Sequence, residues 1–414
     1  MVELYFFVTL VGTILCIPVY MRIADKFGLI DKPEWGKIHS KSTSTMGGLA
    51  FLFTAVTIGL VFTDFFSRNP GFLIGLGLIA LLGTLDDLRK LPTYRKLKPL
   101  WTVLAVGIVV GLDGLNIPYL FSPLSGEVVS LAWGGPLLVL FLVFCKTNSV
   151  NFIDGIDGLA AGTTAIVLSF IAGISFATGQ IELANISLIF LGSILGFLIF
   201  NYPPASIFMG DVGSLSLGFI IGVFAIMMTF PLSESGLISL MTPVYILGLT
   251  TIDTVQVVIA RLINRENIFR ADTKHLHHKL MRAGLSEKET TLTMYGITLF
   301  LGGLGLALAS TSLVLQFWLF VGIFFAISGG LHWMALSERK YLSVFSEKDK
   351  KPLGNILLEI EAIERKELQR ALSLKNNGGS DKPIGKILKE EGAIGEDELR
   401  EALLIQSRMQ VDER

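Results

Sequence analysis

Two adjacent carboxylates, Asp86 and Asp87, are the first side chains along the chain that could do chemistry. They end an apolar segment, in the run Gly-Thr-Leu-Asp-Asp. Neighbouring side chains on a helix point about 100° apart, so one carboxylate can face a metal ion or a phosphate while the other faces a proton to be removed. An isolated Asp-Asp pair is also typical of a solvated helix end, so a functional interpretation depends on the other polar residues that lie near it.

Amides and carboxylates are concentrated in a second stretch, between two apolar segments. Asn148 and Asn151 are three residues apart, as are Asp154 and Asp157, so each pair can share one helix face. A glycine follows each of the two aspartates, which allows a close backbone approach or a break in the helix. Hard oxygen ligands suit Mg²⁺, which takes few protein ligands beside substrate phosphates. This stretch therefore predicts a magnesium and phosphate site.

The third stretch opens an apolar segment with the pattern of a helix N-terminus. Asp211 is followed closely by Gly213 and Ser214, which are residues typical of that position. The free N–H groups of a helix start can hold a phosphate, or Asp211 can hold the cation that holds the phosphate.

Three histidines lie in a fourth, basic stretch. His275, His277 and His278 follow Arg270 and are accompanied by lysines. A structural zinc site needs four ligands, and no cysteine is near, so zinc is disfavoured. Histidines among Arg and Lys more readily bind an anionic group such as a diphosphate.

A weaker fifth stretch lies between residues 31 and 48 and contains Lys37 and His39. Two interpretations stay open for it. It is a basic loop against anionic lipid head groups, or it contributes to binding the substrate phosphates.

These stretches must be positioned by membrane helices. The 414-residue chain is 51% hydrophobic and 17% charged, with a mean hydropathy of +0.63. Soluble domains carry about 25% charged residues. Since about 20 apolar residues cross a bilayer, we predict an all-α integral membrane protein with about eleven transmembrane helices. The predicted spans are 3–23, 46–66, 70–85, 100–115, 132–149, 157–178, 183–200, 212–230, 238–262, 291–310 and 313–335.

The loop charges predict the orientation. Basic clusters occupy the connections from odd to even spans, whereas Arg68 is the only basic residue of the other connections. The positive-inside rule then puts the N-terminus outside and the C-terminus in the cytoplasm. All the polar stretches fall on the cytoplasmic face, where carboxylates, Mg²⁺ and anion-binding loops would suit phosphoryl transfer. Residues 117–131 predict a small external hairpin.

The composition changes after Leu336. We therefore predict a membrane transferase domain over 1–336, a linker over 337–350 and a small soluble helical C-terminal domain over 351–410. That domain contains a repeat with an offset of 31 residues, in which Pro352-Leu353-Gly354 recurs as Pro383-Ile384-Gly385 and each copy predicts two short helices.

The ordered motifs resemble the polyprenyl-phosphate N-acetylhexosamine-1-phosphate transferases over roughly residues 1–335. The resemblance rests on Asp-Lys-Pro…Met-Gly-Gly, Asp-Asp, Asn-x-x-Asn-x-x-Asp-Gly-x-Asp-Gly, Gly-Asp-x-Gly-Ser-Leu and His-Leu-His-His, all in family order. It implies a bacterial inner-membrane enzyme that transfers a sugar-1-phosphate from a UDP-N-acetylhexosamine to undecaprenyl phosphate and releases UMP. The implied cofactor is Mg²⁺, with Mn²⁺ as a substitute.

The resemblance also implies roles for individual residues. Asp211 and Asn151 would hold the metal ion, and Asp86 and Asp87 would lie near the acceptor phosphate. Asp154 and Asp157 would shape the nucleotide and sugar pocket. The implied phosphate- and substrate-binding residues are Lys37, His39, Lys96, Asn148, Arg270, His275, His277 and His278. One departure is Leu100, where the family usually has Gln four residues after the basic residue that we align with Lys96.

The histidine motif favours the branch that uses UDP-N-acetylglucosamine and its relatives. The peptidoglycan branch, which transfers phospho-N-acetylmuramoyl-pentapeptide, has three consecutive histidines instead and stays the alternative. A non-catalytic transporter or a scaffold is the rival from another class, but transporter carboxylates should lie in mid-span, and here they cluster at one face.

The repeated C-terminal domain resembles the duplicated N-terminal domain of type II secretion and pilus ATPases, some of which bind cyclic di-GMP. Two expected contacts are missing, because copy one has Glu361 and Lys375 where the pattern has Gly and Gln. We therefore expect this domain to dock a protein or simply to stabilise the chain, rather than to bind cyclic di-GMP. Surrounding membrane lipid is expected, a homodimer stays open, and no nucleic-acid partner is predicted.

Overall fold

The computed structural model describes residues 2–27, 29–31, 43–89, 92–229, 241–263, 265, 275–346, 353–359, 362–377, 383–395, 399 and 402. The chain divides into two compact units, Met1–Trp333 and Met334–Arg414. The helices that begin in the first unit are α1 (Val2–Lys26), α2 (Gly48–Phe62), α3 (Phe65–Arg68), α4 (Pro70–Arg89), α5 (Pro92–Asp113), α6 (Gly134–Ile153), α7 (Leu159–Ala177), α8 (Ile181–Asn201), α9 (Gly210–Thr229), α10 (Thr242–Ile246), α11 (Gly248–Ile263), α12 (Leu276–Arg282), α13 (Glu287–Ala307) and α14 (Leu313–Ser346).

Eight of the described helices are long and apolar enough to cross a membrane, namely α1, α4, α6, α7, α8, α9, α13 and α14. This confirms the prediction of an all-α integral membrane protein. The other three predicted spans coincide with helices that fall short of this standard. Helix α2 has only 15 residues, and the first turns of α5 contain Arg95, Lys96 and Lys98.

The predicted span 238–262 contains a break between α10 and α11, at Leu247. Helix ends leave backbone carbonyls without partners, and such groups are costly when buried. Here the buried Lys146 of α6 donates to the Leu247 carbonyl at 3.3 Å and to the hydroxyls of Thr250 and Thr251 at 3.1 and 2.5 Å. The Leu247 carbonyl also accepts the Thr251 N–H at 3.1 Å and the two hydroxyls at 2.9 and 2.8 Å, so the break is bonded within its own segment and Lys146 adds a link from a neighbouring helix.

Helix α9 is the central element of the first unit and is buried along most of its length. A cluster of buried phenylalanines surrounds its middle, with ring centroids 5.1–6.5 Å apart: Phe65, Phe72, Phe190, Phe219 and Phe224. Glycines bring its first turn against two other helices. A Cβ on Gly48 of α2 would lie 2.4 Å from the backbone of Gly213, and one on Gly83 of α4 would lie 2.3 Å from that of Val212.

Two small antiparallel pairs of strands complete the first unit. Strand β1 (Ile30–Asp31) pairs with β2 (Thr43–Ser44), and β3 (Tyr119–Phe121) pairs with β4 (Val128–Ser130). The second pair confirms a hairpin within residues 117–131. The last residue of β2 bonds to the segment before α9, since Phe208 N–H donates to the Ser44 carbonyl at 2.8 Å.

The second unit shows the 31-residue repeat in its packing. The helices that begin in its described residues are α15 (Leu353–Glu359), α16 (Arg365–Asn377) and α17 (Ile384–Glu390), so α15 and α17 begin at equivalent positions of the two copies. Equivalent residues are buried together, as in the pairs Leu357 with Leu388, Ile363 with Ile394, and Ala371 with Ala402. Arg370 and Glu391 form an exposed ion pair between the copies at 3.1 Å.

Candidate active site

Asp87 holds the N-terminus of α9 against the C-terminal end of α4. Its Oδ1 accepts the backbone N–H of Asp211 at 3.0 Å, and its Oδ2 accepts that of Val212 at 3.1 Å. A carboxylate at a helix start satisfies N–H groups without partners and interacts favourably with the helix dipole. Gly210 permits the approach, with φ at +73° and a would-be Cβ only 2.6 Å from Asp87 Oδ2. Both oxygens of Asp87 are therefore used within the protein, and these two N–H groups are not free for a phosphate.

Asp211 and Asn151 form a second link, between α9 and the C-terminal end of α6. The Asn151 amide nitrogen donates to Asp211 Oδ1 and to Ser214 Oγ, both at 2.8 Å. The spacing along α9 allows this because Asp211 and Ser214 are three residues apart and share one face. Asn151 therefore orients Asp211, leaving Oδ2 of that carboxylate to face a cation.

A lysine supplies that cation. The Nζ of Lys98, on α5, forms short ion pairs with Oδ2 of both Asp86 and Asp211. The Asp86 side chain is only 9% exposed, and its Oδ1 has no hydrogen-bond partner among the residues described. Sequence analysis named Lys96 among the substrate-binding residues and did not single out Lys98. The available signal was its place in the same basic run, two residues further on.

Asp154 and Asp157 follow α6 in the short connection to α7. Burial raises the pKa of Asp154 to about 8, and the negative charges of Asp211, Asp87 and Asp157 raise it further. Asp157 accepts the backbone N–H of Ala205 at 2.8 Å. Asp154 therefore belongs to the carboxylate cluster, whereas Asp157 ties the connection to the segment before α9.

A buried carboxylate on α11 holds the first histidine. Asp253 is fully buried; its Oδ2 lies 2.7 Å from His275 Nδ1, and its Oδ1 accepts the backbone N–H of Leu276 at 2.6 Å. This carboxylate thus fixes both the His275 ring and the start of α12. Sequence analysis did not single out Asp253. Its signal was a lone carboxylate inside an otherwise apolar predicted span, which is costly without a use.

His277 packs against the glycine that follows Asp154. A Cβ on Gly155 would lie 2.6 Å from His277 Nε2, so only glycine fits without displacing the ring. Neither ring nitrogen of His277 has a hydrogen-bond partner among the described residues. Burial, with a smaller contribution from His278, lowers the pKa of His277 to about 3. An uncharged His277 can make hydrogen bonds but adds no positive charge.

The remaining predicted residues are placed as follows. The Asn148 amide donates to the Phe144 carbonyl of its own helix at 2.8 Å, and the His278 ring lies 4.1 Å from that of His277. Lys96 lies on α5, and the contacts of its side chain are outside what the structure describes. Lys37, His39 and Arg270 lie outside the described residues. The site thus brings together residues from the ends of α4, α5, α6, α9 and α12.

The donor set fits Mg²⁺ only when a substrate shares the ion. Within the described residues, no three or more His, Cys, Asp or Glu side chains converge as a protein-only cage would require. Mg²⁺ usually takes one or two carboxylates and completes its octahedron with waters and substrate phosphates. Asp86 and Asp211 already share one cation, and Asp86 Oδ1 is buried without a partner among the described residues. These two carboxylates fit that requirement.

This chain is similar to several known transferases. Residues 69–229 match glycosyl transferase family 4. A probable undecaprenyl-phosphate N-acetylglucosaminyl 1-phosphate transferase of Bacillus subtilis is 36% identical over 324 residues, covering 77% of this chain and 88% of the relative. A phospho-N-acetylmuramoyl-pentapeptide-transferase of Streptococcus pneumoniae is 33% identical over 326 residues, covering 75% and 97%. Its counterpart from Clostridium novyi is 35% identical over 246 residues, covering 55% and 73%.

Proposed function

The chain belongs to glycosyl transferase family 4, and from this premise we propose that it transfers N-acetylhexosamine-1-phosphate from a UDP-sugar to undecaprenyl phosphate. UMP is released, and the lipid-linked product starts a cell-envelope glycan. The sugar we propose is N-acetylglucosamine, which is the sugar in the name of the Bacillus subtilis relative.

The observation that carries this proposal is the pair of carboxylates, Asp86 and Asp211, that share one cation where α4, α5, α6 and α9 meet. Phosphoryl transfer asks the protein mainly to position groups and to neutralise charge. Two carboxylates around one cation, with a partly exposed face for substrate, supply both requirements.

The proposed roles follow from which atoms are free. Asp211 would be the main ligand for Mg²⁺, and Asn151 orients this carboxylate. Asp86 would help to hold the ion, and its Oδ1 aligns or deprotonates the acceptor phosphate. Asp87 accepts backbone N–H groups of α9 with both oxygens, and so holds the start of α9 against the end of α4. When bound, Mg²⁺ supplies charge neutralisation for the diphosphate and the leaving UMP.

Substrate binding is proposed for the groups around this centre. Asp154 and Asp157 shape the nucleotide and sugar pocket, and His275 and His277 line it with hydrogen-bonding groups. Asn148, His278 and Lys96 extend it, and Lys37, His39 and Arg270 are proposed to bind phosphates from the loops. The acceptor oxygen attacks the phosphorus next to the sugar, and the bond from that phosphorus to the bridging oxygen of UMP breaks.

A second candidate, phospho-N-acetylmuramoyl-pentapeptide transfer, is the activity named for the Streptococcus pneumoniae and Clostridium novyi relatives. It uses the same chemistry at the phosphates and differs in the sugar that the pocket must accept. The motif His275-Leu276-His277-His278 supports the first candidate rather than this one.

We further propose the orientation and the organisation of the chain. The protein is a multi-pass bacterial membrane protein, and the basic loops support an active site and C-terminus in the cytoplasm with the N-terminus outside. The domains we propose are 1–336 for catalysis, 337–350 as a linker and 351–410 as a module that docks a protein partner. Cyclic di-GMP binding by this module and a homodimer are the alternatives to be tested beside it.

The test is UMP release by the purified full-length protein with undecaprenyl phosphate, Mg²⁺ and one donor at a time. The donors are UDP-N-acetylglucosamine, UDP-N-acetylgalactosamine and UDP-N-acetylmuramoyl-pentapeptide. We expect release with the first donor that requires the lipid and stops with EDTA. Asp211→Asn should abolish it, whereas Glu182→Gln, in an exposed ion pair with Arg68, should not.

Release with the muramoyl-pentapeptide donor alone would establish the second candidate. No release with any donor, from protein whose thermal unfolding shows that it is folded, would refute the enzymatic proposal.

A further inference from the structure

We infer that Lys98 is a tethered substitute for the divalent cation: its ammonium bridges Asp86 and Asp211 in the metal-free protein and is displaced when the ion binds. The inference rests on the proposed function only for the identity of the ion. Its structural basis is the pair of short contacts from Nζ of Lys98 to one oxygen of each carboxylate.

The two carboxylates need a cation to remain together. The Asp86 side chain is 9% exposed and that of Asp211 is 28% exposed, so water solvates their charges poorly. Two like charges at close range in such surroundings repel strongly unless a positive charge lies between them. Lys98 supplies that charge, and it approaches the same two oxygens that a divalent ion would need.

The ammonium and the divalent ion therefore compete for one place. Both are positive, and both would contact Oδ2 of Asp86 and Oδ2 of Asp211. The ammonium of a lysine can be displaced from this position because it is a compact charge on a flexible four-carbon stem. The Lys98 side chain is 20% exposed, which leaves an open side toward which it can move.

The position of Lys98 on α5 keeps the displaced ammonium near the reaction. The helix is continuous from Pro92 to Asp113, and the Thr102 hydroxyl donates to the Lys98 carbonyl at 3.0 Å, so the backbone at this turn is fixed. A displaced ammonium remains within one side-chain length of the carboxylates. There it can bind a phosphate oxygen of either substrate. Binding of the divalent ion would thus change the partner of the Lys98 ammonium from the two carboxylates to a substrate phosphate.

Replacing Lys98 with methionine distinguishes a displaceable cation from a purely structural ion pair, because the stability of the metal-free protein should fall while its affinity for the divalent ion rises. Without its cation the metal-free protein should be less stable, since two poorly solvated carboxylates then lack their positive partner. The divalent ion, with no ammonium to displace, should bind roughly tenfold or more tightly, by the size of charge interactions at such distances. A structural ion pair alone predicts lower stability and no tighter binding.

The experiment uses the purified full-length protein without sugar or lipid. Mn²⁺ binding is followed by the loss of the free-ion paramagnetic resonance signal, and thermal unfolding is recorded with EDTA and with saturating Mn²⁺. Lys98→Gln, which keeps a hydrogen-bonding group, guards against misfolding of Lys98→Met. Arg68→Met is the charge-matched control, because Arg68 precedes α4 and lies a whole helix length from Asp86.

The expected result is tighter Mn²⁺ binding by both Lys98 variants, lower stability in EDTA, and a stability difference that shrinks when Mn²⁺ saturates. Arg68→Met should change neither property. Unchanged or weaker Mn²⁺ binding by the Lys98 variants, or no binding by any protein, would overturn the inference. Because no substrate is present, tighter binding without UMP release would reject only the proposed function, and UMP release with unchanged binding would reject only the role of Lys98.

Discussion

Replacing Asp253 with asparagine should disconnect His275 from the carboxylate that holds it while leaving the fold in place. Asparagine has nearly the same shape and keeps an oxygen that can accept the Leu276 N–H, now at 2.6 Å from Asp253 Oδ1. Its second polar group is an amide nitrogen, which would replace the oxygen that lies 2.7 Å from His275 Nδ1. Because that nitrogen donates a hydrogen bond, His275 must lose the proton from Nδ1 to accept it, or its ring must turn away. The orientation of His275 toward substrate is then lost.

The expected size of the effect follows from the number of bonds lost. A hydrogen bond to a charged group contributes about 1.5–3 kcal/mol, and Asp253→Asn loses the one to His275 out of three that the carboxylate makes. That corresponds to a decrease of roughly 10- to 150-fold in kcat/KM for the UDP-sugar. Asp253→Ala loses all three bonds and leaves His275 and the start of α12 without their buried partner, so it should also destabilise the protein by about 3–5 kcal/mol.

The assay is UMP release over a range of UDP-sugar concentrations, with thermal unfolding measured in parallel. A double-mutant cycle with His275→Ala tests the connection, because Asp253→Asn should cost little more once His275 is absent. Asp113→Asn is the matched control. Asp113 accepts two backbone N–H groups, of Gly71 and Phe72, at 2.7 and 2.6 Å, but at the opposite end of α4 from Asp86.

Two results would refute this reasoning. The first is a kcat/KM of Asp253→Asn within about twofold of wild type, which is what a substitution without consequence produces. The second is an equal loss for Asp253→Asn with and without His275, which would show that Asp253 acts through some other group.

Three further predictions concern the frame, the pH response and the second unit. Gly83→Ala should destabilise the protein by about 1–3 kcal/mol, because its Cβ would meet the backbone of α9, whereas Gly77→Ala on the same helix, with nothing within 4 Å, should not; thermal unfolding compares them. The pKa of Asp154 is raised to about 8, so the stability that its protonated form gives the metal-free protein should be full below about pH 4 and be lost as pH rises through 8. Thermal unfolding with EDTA across this pH range should show a smaller decline in stability for Asp154→Asn than for wild type. An equal decline in the two proteins would contradict the prediction. Leu388→Ala, at a fully buried position of the second unit, should cost that unit about 2–5 kcal/mol and expose it to limited proteolysis, while the exposed Leu372→Ala should not.

The sequence by itself was sufficient for the features that depend on local pattern. Run length and apolarity predicted the membrane helices, eight of which meet the standard for a span, because the cost of placing polar groups in hydrocarbon acts on each segment separately. Turn residues between β-prone segments predicted the hairpin that contains Tyr119–Phe121 and Val128–Ser130. Self-similarity predicted the repeat, and Leu357 and Leu388 occupy equivalent buried positions within it.

The sequence also identified the polar stretches that form the site, because carboxylates and amides at the ends of apolar segments are costly without a use. It did not identify their partners. Lys146 illustrates the reason: the groups that accept its hydrogen bonds include the Leu247 carbonyl and the Thr251 hydroxyl, which lie about 100 residues later in the chain. Hydropathy carries no information about such a pairing.

Only the tertiary structure decided which charged residue acts on which. The basic run at the start of α5 contains several cations of similar chemistry, and the structure shows that Lys98 pairs with Asp86 and Asp211. Asp86 and Asp87 differ by about 100° in direction. The backbone of α9 donates to both oxygens of Asp87, whereas Oδ1 of Asp86 has no hydrogen-bond partner among the described residues. Asp253 acquires its partner only because α12 packs against α11. Residue type and spacing set what each group can do, and the packing of distant helices sets which group is in position to do it.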